Sequence, residues 1–319
     1  MPETISVVIP VYNNQPTLGE TCRQIVEVHQ SSFGGFALEV IFVNDGSTDG
    51  SWDELVLLKE RYGEQVTLIN LSRNFGQAGA LFAGFSNAKG DAVICVSADM
   101  QDPISLMAKM VAYWKNNTEI VICYRESRAD GYLARMLSRY AYSVARLTYP
   151  EVPRGGFDYW LMSRRVCKML CSLKGRHNFV QGYLLSIGFS KAFIPYTRVK
   201  RKVGSTGYKF GQKLKMVVDF LVDSSLPIRF MSGLGVLFSL CGCAYSLIIA
   251  YAWFVQKTPF SGWAPLMVIT MLIGGMLMIM LGVIGEYVWR IYDNSREFPL
   301  YIIDTSLTTE PEDSSLPKQ

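Results

Sequence analysis

One stretch of this chain constrains everything else: from Phe230 to Gly285 the only charged residue is Lys257. Lys257 splits the stretch into two runs, 27 uncharged residues over 230–256 and 28 over 258–285. An α-helix needs roughly 20 residues to cross about 30 Å of hydrocarbon, so each run is long enough to span a bilayer. Pro259, Gly262 and Pro265 mark a turn between them. Gly233, Gly235, Gly242, Gly274 and Gly275 are the small residues that let helices approach closely in lipid, and Trp253, Trp263 and Trp289 lie near the expected ends, as interfacial aromatics do. The competing reading is an apolar hairpin buried in a large soluble core. It is the weaker of the two, because both adjacent runs are longer than an ordinary core helix. Lys209, Lys213, Lys215 and Arg229 precede the first run, and Arg290 and Arg296 follow the second. Cations on both outer flanks place the two ends, and the large N-terminal part, on the cytoplasmic side. The expected division is therefore a domain over 1–226, a two-helix hairpin over 227–296 and a polar tail over 297–319, with Thr305–Gln319 expected to be disordered.

Charge and cysteine content narrow the class further. Charged residues make up 18% of the chain, against about 25% in ordinary soluble domains, and the deficit lies in the apolar stretch. A net charge of +4 over 319 residues is too mild for a dedicated nucleic-acid binder, so no nucleic-acid partner is expected. An aromatic content of 13% argues against disorder. The 7 cysteines are scattered, with no zinc or disulfide spacing, which fits a reducing compartment. The N-terminus has neither a basic start nor a long apolar segment and does not read as a signal peptide.

Within 1–226, short apolar runs alternate with helical patterns. Ile5–Val11, Leu38–Val43, Val66–Leu71, Ala92–Ser97 and Glu119–Cys123 read as strands. Helical spacing covers Thr17–Val28, Trp52–Tyr62, a small-residue segment ending near Ala88, and Met107–Asn116. Near-continuous apolar strands between helices predict an α/β fold with a mostly parallel sheet covered on both faces. Polar clusters follow the strands at equivalent places, around Asp45, Arg73, Asp99 and Arg125, and open α/β sheets bind ligands at that edge. The loops are therefore expected to converge on one crevice. No Walker lysine loop and no G-x-G-x-x-G follows the first strand, which disfavours P-loop and dinucleotide readings. Two amphipathic helices are expected at about 130–148 and 209–223. They either cover the soluble core or lay their Arg and Lys faces on the anionic inner leaflet.

The segments IPVYNN, VNDGSTDGS, LSRNFGQAGAL, SADMQDP, LMSRR and GEYVWRIY, taken in order, resemble the polyisoprenyl-phosphate glycosyltransferases, the group that includes dolichol-phosphate mannose synthase and the bactoprenol glucosyltransferases. The resemblance runs to about Arg296. It implies a GT-A Rossmann-like domain followed by two transmembrane helices, in a bacterial cytoplasmic membrane. The implied reaction moves a sugar, with inversion, from a nucleotide-sugar (a UDP-sugar by expectation) to a polyprenyl phosphate, giving a lipid-linked donor for envelope glycan or lipopolysaccharide modification. Pro10, Tyr12, Asn14, Asp45, Arg73, Gln77 and Asp99 would bind the nucleotide-sugar. Asp158 would be the catalytic carboxylate, and Arg125, Arg135, Ser138 and Arg201 would meet the acceptor phosphate. Asp99 and Gln101 would hold Mg²⁺ or Mn²⁺ through hard oxygen ligands. A homo-oligomer is expected, tetramers being frequent in the family.

The sequence departs from the family pattern at three places. Ser97 stands where the metal triplet usually begins with Asp, so the cation is expected to rest on Asp99, Gln101 and the substrate diphosphate, with Asp102 close by. Trp160 replaces an Arg, which predicts a reshaped sugar pocket, and Gly207 replaces a phosphate-binding Lys for which Lys209 is the substitute. Two rival readings compete with this one. A polymer-forming glycosyltransferase would carry a Q-x-x-R-W signature that is missing here, and a non-catalytic scaffold for a flippase would show no sugar transfer.

Overall fold

The computed structural model describes residues 3–127, 146, 151–153, 156–172, 180–197, 230, 231, 233–237, 240, 244, 251, 255, 264–295 and 299–304. The expected interface helices over 130–148 and 209–223 lie, apart from residue 146, outside the described residues, and so do Arg135, Ser138, Arg201, Gly207 and Lys209. The chain forms two compact units, Met1–Thr206 with Phe298–Gln319, and Gly207–Glu297.

The first unit is built on β1 (Thr4–Val11), α1 (Gln15–Ser32), β2 (Ala37–Asn44), α2 (Ser51–Tyr62), β3 (Val66–Asn70), α3 (Gly76–Asn87), β4 (Ala92–Cys95), α4 (Leu106–Lys115), β5 (Ile120–Ser127), β6 (Tyr159–Ser163), α5 (Arg164–Ser172), α6 (Val180–Ser186) and β7 (Lys191–Thr197). The seven strands form one sheet in the order β3-β2-β1-β4-β6-β5-β7. β1 runs parallel to β2 and β4, β2 parallel to β3, and β5 parallel to β7, while β6 lies antiparallel between β4 and β5. The five expected strands are all present at close to their expected limits. β6 and β7 were not anticipated.

The apolar strands are explained by burial on both faces. Ile5, Val7, Ile9, Val40 and Phe42 pack with residues of α1, α2 and α4 on one side. Val8, Ile41 and Val43 pack with α3, α5 and α6 on the other. At about 25 cal/mol per Å² of apolar surface, these two layers supply the main driving force for the fold. α3 is made of small residues because it lies hard against the sheet. A Cβ on Gly84 would stand 2.3 Å from Val8 Cγ1 and 3.2 Å from Val43 Cγ2. α2 carries Asp53 and Glu54 in its first turn and Lys59 and Arg61 in its last, matching the helix dipole.

The segment expected to open a polar tail does something different. Leu71 and Ile303 form an antiparallel bridge, Ser72 N donates to Ile302 O at 2.9 Å, and Asp304 N donates to Asn70 O at 2.8 Å. Leu300, Tyr301 and Ile303 pack on the core cluster of α3 and α5. The apolar residues Leu300, Tyr301, Ile302 and Ile303 are the reason: they cover the otherwise open edge of β3. Thr305–Gln319 lie outside the described residues.

In the second unit, α7 (Ala264–Ser295) is 32 residues long, and its window Leu272–Trp289 has a mean hydropathy of 1.8 with none of it buried in protein. Among the described residues it is the one helix long and apolar enough to cross a membrane. It continues past Gly285, where the uncharged run ends, to Ser295. Of the first uncharged run, Phe230, Met231 and residues 233–237 are helical, and most of the remainder falls outside the described residues.

Candidate active site

The loops after β1, β2, β3 and β4 meet at one edge of the sheet, as the strand pattern implied, and hydrogen bonds show how they meet. Asn13, at φ 53, accepts from Thr48 N through its side chain at 2.9 Å, while its own N donates to Ser47 Oγ at 3.1 Å. Asn14 N donates to Ser51 Oγ at 3.0 Å, and Gln15 N donates to Asp49 Oδ2 at 3.3 Å. Thr17 Oγ1 donates to Ala98 O at 2.7 Å, which joins the start of α1 to the loop after β4. Tyr12 is 48% exposed and presents an open aromatic face beside this junction.

Asp45 occupies the seam between the second and third loops. Its carboxylate accepts from Phe75 N at 2.7 Å and Gly76 N at 3.0 Å, which caps the start of α3. Burial pushes its pKa up, and the two backbone donors only partly offset this. Gly46 makes the seam possible. Its φ is 64, and a Cβ there would lie 2.6 Å from Asn74 N and 2.7 Å from Arg73 C. Asp45 is 3% exposed and engaged with backbone, so it shapes the loop that carries Arg73. Arg73 is exposed, with its guanidinium stacked 4.4 Å over the Phe75 ring. Gln77 is exposed on the first turn of α3, and Pro10 is half-buried at the end of β1.

The loop after β4 turns at Met100, which has φ 57, a conformation that L residues seldom adopt. The turn places Asp99 and Gln101 together, with Gln101 N donating to Asp99 Oδ1 at 3.2 Å. Ser97 Oγ lies 2.9 Å from Asp99 Oδ1 and 2.5 Å from Asp102 Oδ2. Asp102 Oδ1 accepts from the Tyr196 hydroxyl at 2.6 Å. Both Asp102 oxygens are therefore occupied inside the protein, and burial raises its pKa. Asp102 thus ties the loop after β4 to β7 beside the expected ligands Asp99 and Gln101. One carboxylate and one amide are a sparse but suitable hard-oxygen set for Mg²⁺ or Mn²⁺ when a diphosphate completes the shell. Among the described residues no group of three or more His, Cys, Asp and Glu side chains could hold a metal by itself.

Asp158 immediately precedes β6. It pairs with Arg125 of β5 and accepts from Gln181 Nε2 at 3.3 Å. The two arginines that follow β6 are engaged elsewhere: Arg164 donates to Ala88 O, and Arg165 stacks 5.0 Å from the Phe189 ring centre. Burial lowers the pKa of Arg125, but Asp158, Tyr196 and Asp102 outweigh it and keep the guanidinium charged. Arg125 is 5% exposed. Arg125 is thus the buried counter-ion of Asp158. Trp160 does not line a sugar pocket. It is fully buried and packs edge-on against Phe157, 5.8 Å between ring centres. The roles of Asp102, Tyr196 and Gln181 were missed because their partners come from strands β5 and β7 and helix α6, distant in sequence.

A seven-stranded sheet with one antiparallel strand and a polar crevice at its strand ends defines an open α/β class that binds its ligands at that edge. Residues 6–170 match the family described as Glycosyl transferase family 2. An uncharacterised glycosyltransferase of Bacillus subtilis is 34% identical over 96% of this chain and 94% of its own length. The bactoprenol glucosyl transferase of Shigella phage SfV is 30% identical over 94% of this chain and 97% of its own. Among solved structures, a UDP complex of glucosyl-3-phosphoglycerate synthase from Mycobacterium tuberculosis shares the fold at a TM-score of 0.50 and 18% identity, covering 69% of this chain and 79% of that one. The chain belongs to glycosyl transferase family 2 and is an enzyme of GT-A type in the hexosyltransferase class. The resemblance to polyprenyl-phosphate glycosyltransferases read from its motifs is borne out along nearly its whole length.

Proposed function

We propose that this enzyme transfers one hexose from a nucleotide-sugar, most simply a UDP-sugar, to a polyprenyl phosphate at the cytoplasmic face of a bacterial inner membrane. The observation that carries the reading is the pairing of a soluble-sugar crevice with a long lipid-compatible helix in one chain, in register with relatives named bactoprenol glucosyl transferase. The two-span topology, a homo-oligomeric state and a role in envelope glycan or lipopolysaccharide modification belong to the same proposal.

The chemistry follows from the groups present. An oxygen of the lipid phosphate attacks the anomeric carbon, a new C–O bond forms, and the bond to the diphosphate breaks with inversion. A phosphate monoester has a second pKa near about 6 and is largely dianionic at neutral pH. The nucleophile therefore needs placement more than deprotonation, and Asp158, held by Arg125 and Gln181, orients the reacting sugar and phosphate. Tyr12 stacks on the nucleobase, and Arg73, steadied by Phe75, faces the diphosphate. A divalent cation held by Asp99, Gln101 and the diphosphate would neutralise charge on the leaving group. Arg135, Ser138 and Arg201 are the proposed acceptor-phosphate contacts.

The test is direct. Detergent-purified protein is incubated with undecaprenyl phosphate, Mn²⁺ and a panel of nucleotide-sugars, and the lipid product is weighed by mass spectrometry. A product heavier by one hexose from one donor supports the reading. No lipid product from any donor defeats it.

A further inference from the structure

The ends of β4, β5, β6 and β7 are tied by a buried polar chain that the transfer chemistry above does not explain. It runs from Asp99 through Ser97, Asp102, Tyr196 and Arg125 to Asp158. Asp102 is 3% exposed, and Arg125 and Tyr196 are 5% exposed each. The middle of the chain is one atom. The Tyr196 hydroxyl donates to Asp102 Oδ1 at 2.6 Å, and Tyr196 pairs in register with Arg125 of β5, which sets its oxygen beside the Arg125 guanidinium. A hydroxyl has one proton and two lone pairs, so an oxygen that donates to Asp102 can still face a cation.

This arrangement exceeds what packing requires. The Tyr196 ring already sits edge-on to Tyr159, 6.4 Å between centres, and a phenylalanine ring would fill the same space. An apolar cluster is generally at least as stable as a buried ionic one, so the polar chain needs another reason. Arg125 is also incompletely tied, since its Nε is buried without a partner. Its guanidinium is paired with Asp158 and neighbours the Tyr196 oxygen. Removing that oxygen frees Arg125 to turn and carry Asp158 with it.

We propose that Tyr196 is a positioning residue for sugar transfer: its hydroxyl locks the Asp99–Gln101 loop to the Arg125–Asp158 pair, fixing the distance between the donor-side and acceptor-side carboxylates without touching either substrate. The inference rests on the reading in which Asp158 faces the reacting sugar.

The experiment uses the full-length protein with UDP-sugar, polyprenyl phosphate and Mn²⁺. Tyr196→Phe removes one oxygen and keeps the ring. Its kcat is expected to fall roughly tenfold while the donor KM stays within about twofold, because an alignment contact is lost and a binding contact is not. Asp102→Asn is expected to show a similar loss, and the double variant to be no slower than the slower single variant, because both break one link. Wild-type kcat in Tyr196→Phe overturns the inference, and so do losses that multiply in the double variant. Should Tyr196→Phe fail to fold, the same cycle is run with Asp102→Asn and Arg125→Lys, where multiplying losses again overturn it. Asp158→Asn is measured in parallel. If that variant is fully active, the underlying reading of the site falls. If it is dead while Tyr196→Phe is unimpaired, only the role of Tyr196 falls.

Discussion

Arg125 of β5 and Asp158 before β6 are ion-paired across neighbouring antiparallel strands, with Arg125 at 5% and Asp158 at 33% exposure. The buried cation thus holds a carboxylate that is itself open to the crevice. Asp158→Asn keeps the shape and removes the charge. It should lower kcat by at least about 100-fold while leaving donor affinity within a few-fold, since proton-handling and orienting groups contribute on that scale. Asp158→Ala should in addition destabilise the fold by about 2–3 kcal/mol, because Arg125 is left without its counter-ion. Steady-state kinetics and thermal melts of both variants separate the two effects, and an Asn variant with near-normal kcat would remove Asp158 from the reaction.

Metal dependence follows from a short ligand set. Ser97 spends its hydroxyl on Asp99 and Asp102, so it brings no charge to a cation. Activity should require millimolar and not micromolar Mg²⁺ or Mn²⁺, should vanish in excess EDTA and return on adding metal back, and should be abolished in Asp99→Ala. Titrating the transfer rate against free metal measures this. Undiminished transfer in EDTA would show that the Asp99 loop serves some other purpose.

Gly46 lies where two loops touch, and its left-handed φ of 64 compounds the crowding. Gly46→Ala should cost about 1–3 kcal/mol, because a Cβ meets the backbone of residues 73 and 74 and nothing flexible can yield. It should raise the donor KM several-fold with a smaller change in kcat, as Arg73 is displaced. Isothermal titration with UDP checks the binding half of this expectation.

The fold was legible in the sequence where strands were buried on both faces, because that burial forces runs such as ISVVIPV and LEVIFV that nothing else explains. β6 was not legible. YWLMS is five residues long and antiparallel, and its partners lie in β4 and β5, so only tertiary pairing reveals it. The loops carrying Asp45, Arg73 and Asp99 could be placed at one edge from strand ends alone. What Asp45 and Arg125 do there could not, because each role depends on which distant group reaches it first: the Gly76 amide in one case, Asp158 in the other. The docking of Ile302 and Ile303 is not legible either, because four apolar residues followed by polar sequence carry no periodic signal.

The β3 edge yields a prediction of its own. Ile302 and Ile303 cover it through the Ser72 N–H and the Leu71 bridge, directly before Arg73. Ending the chain after Ser295 keeps α7 but exposes the edge. The truncated protein should melt several degrees lower and aggregate more readily, as uncovered strand edges do. Ile303→Pro, which forbids the bridge, should reproduce most of the loss. If neither change affects melting or light scattering, the docked segment contributes nothing to the sheet.

The last prediction concerns thiol chemistry beneath α3. Cys171 of α5 is half-buried, accepts from the Ser86 hydroxyl at 3.8 Å and is near Arg164, while the Cys167 thiol donates to Phe85 O at 3.6 Å. The polar contacts of Cys171 lower its pKa, while burial holds Cys22 up at about 12. The thiolate is the reacting species, so Cys171 should be alkylated faster than Cys22 at every pH below the unfolding range. Cys22, Cys95 and Cys123 are buried, with their thiols pushed up, and should react only on unfolding. Brief iodoacetamide treatment at several pH values, followed by peptide mass mapping, reads this out, and Cys171→Ser should abolish the early label. Equal labelling of Cys171 and Cys22 at neutral pH would mean that the Ser86 and Arg164 contacts do not hold the thiolate in solution.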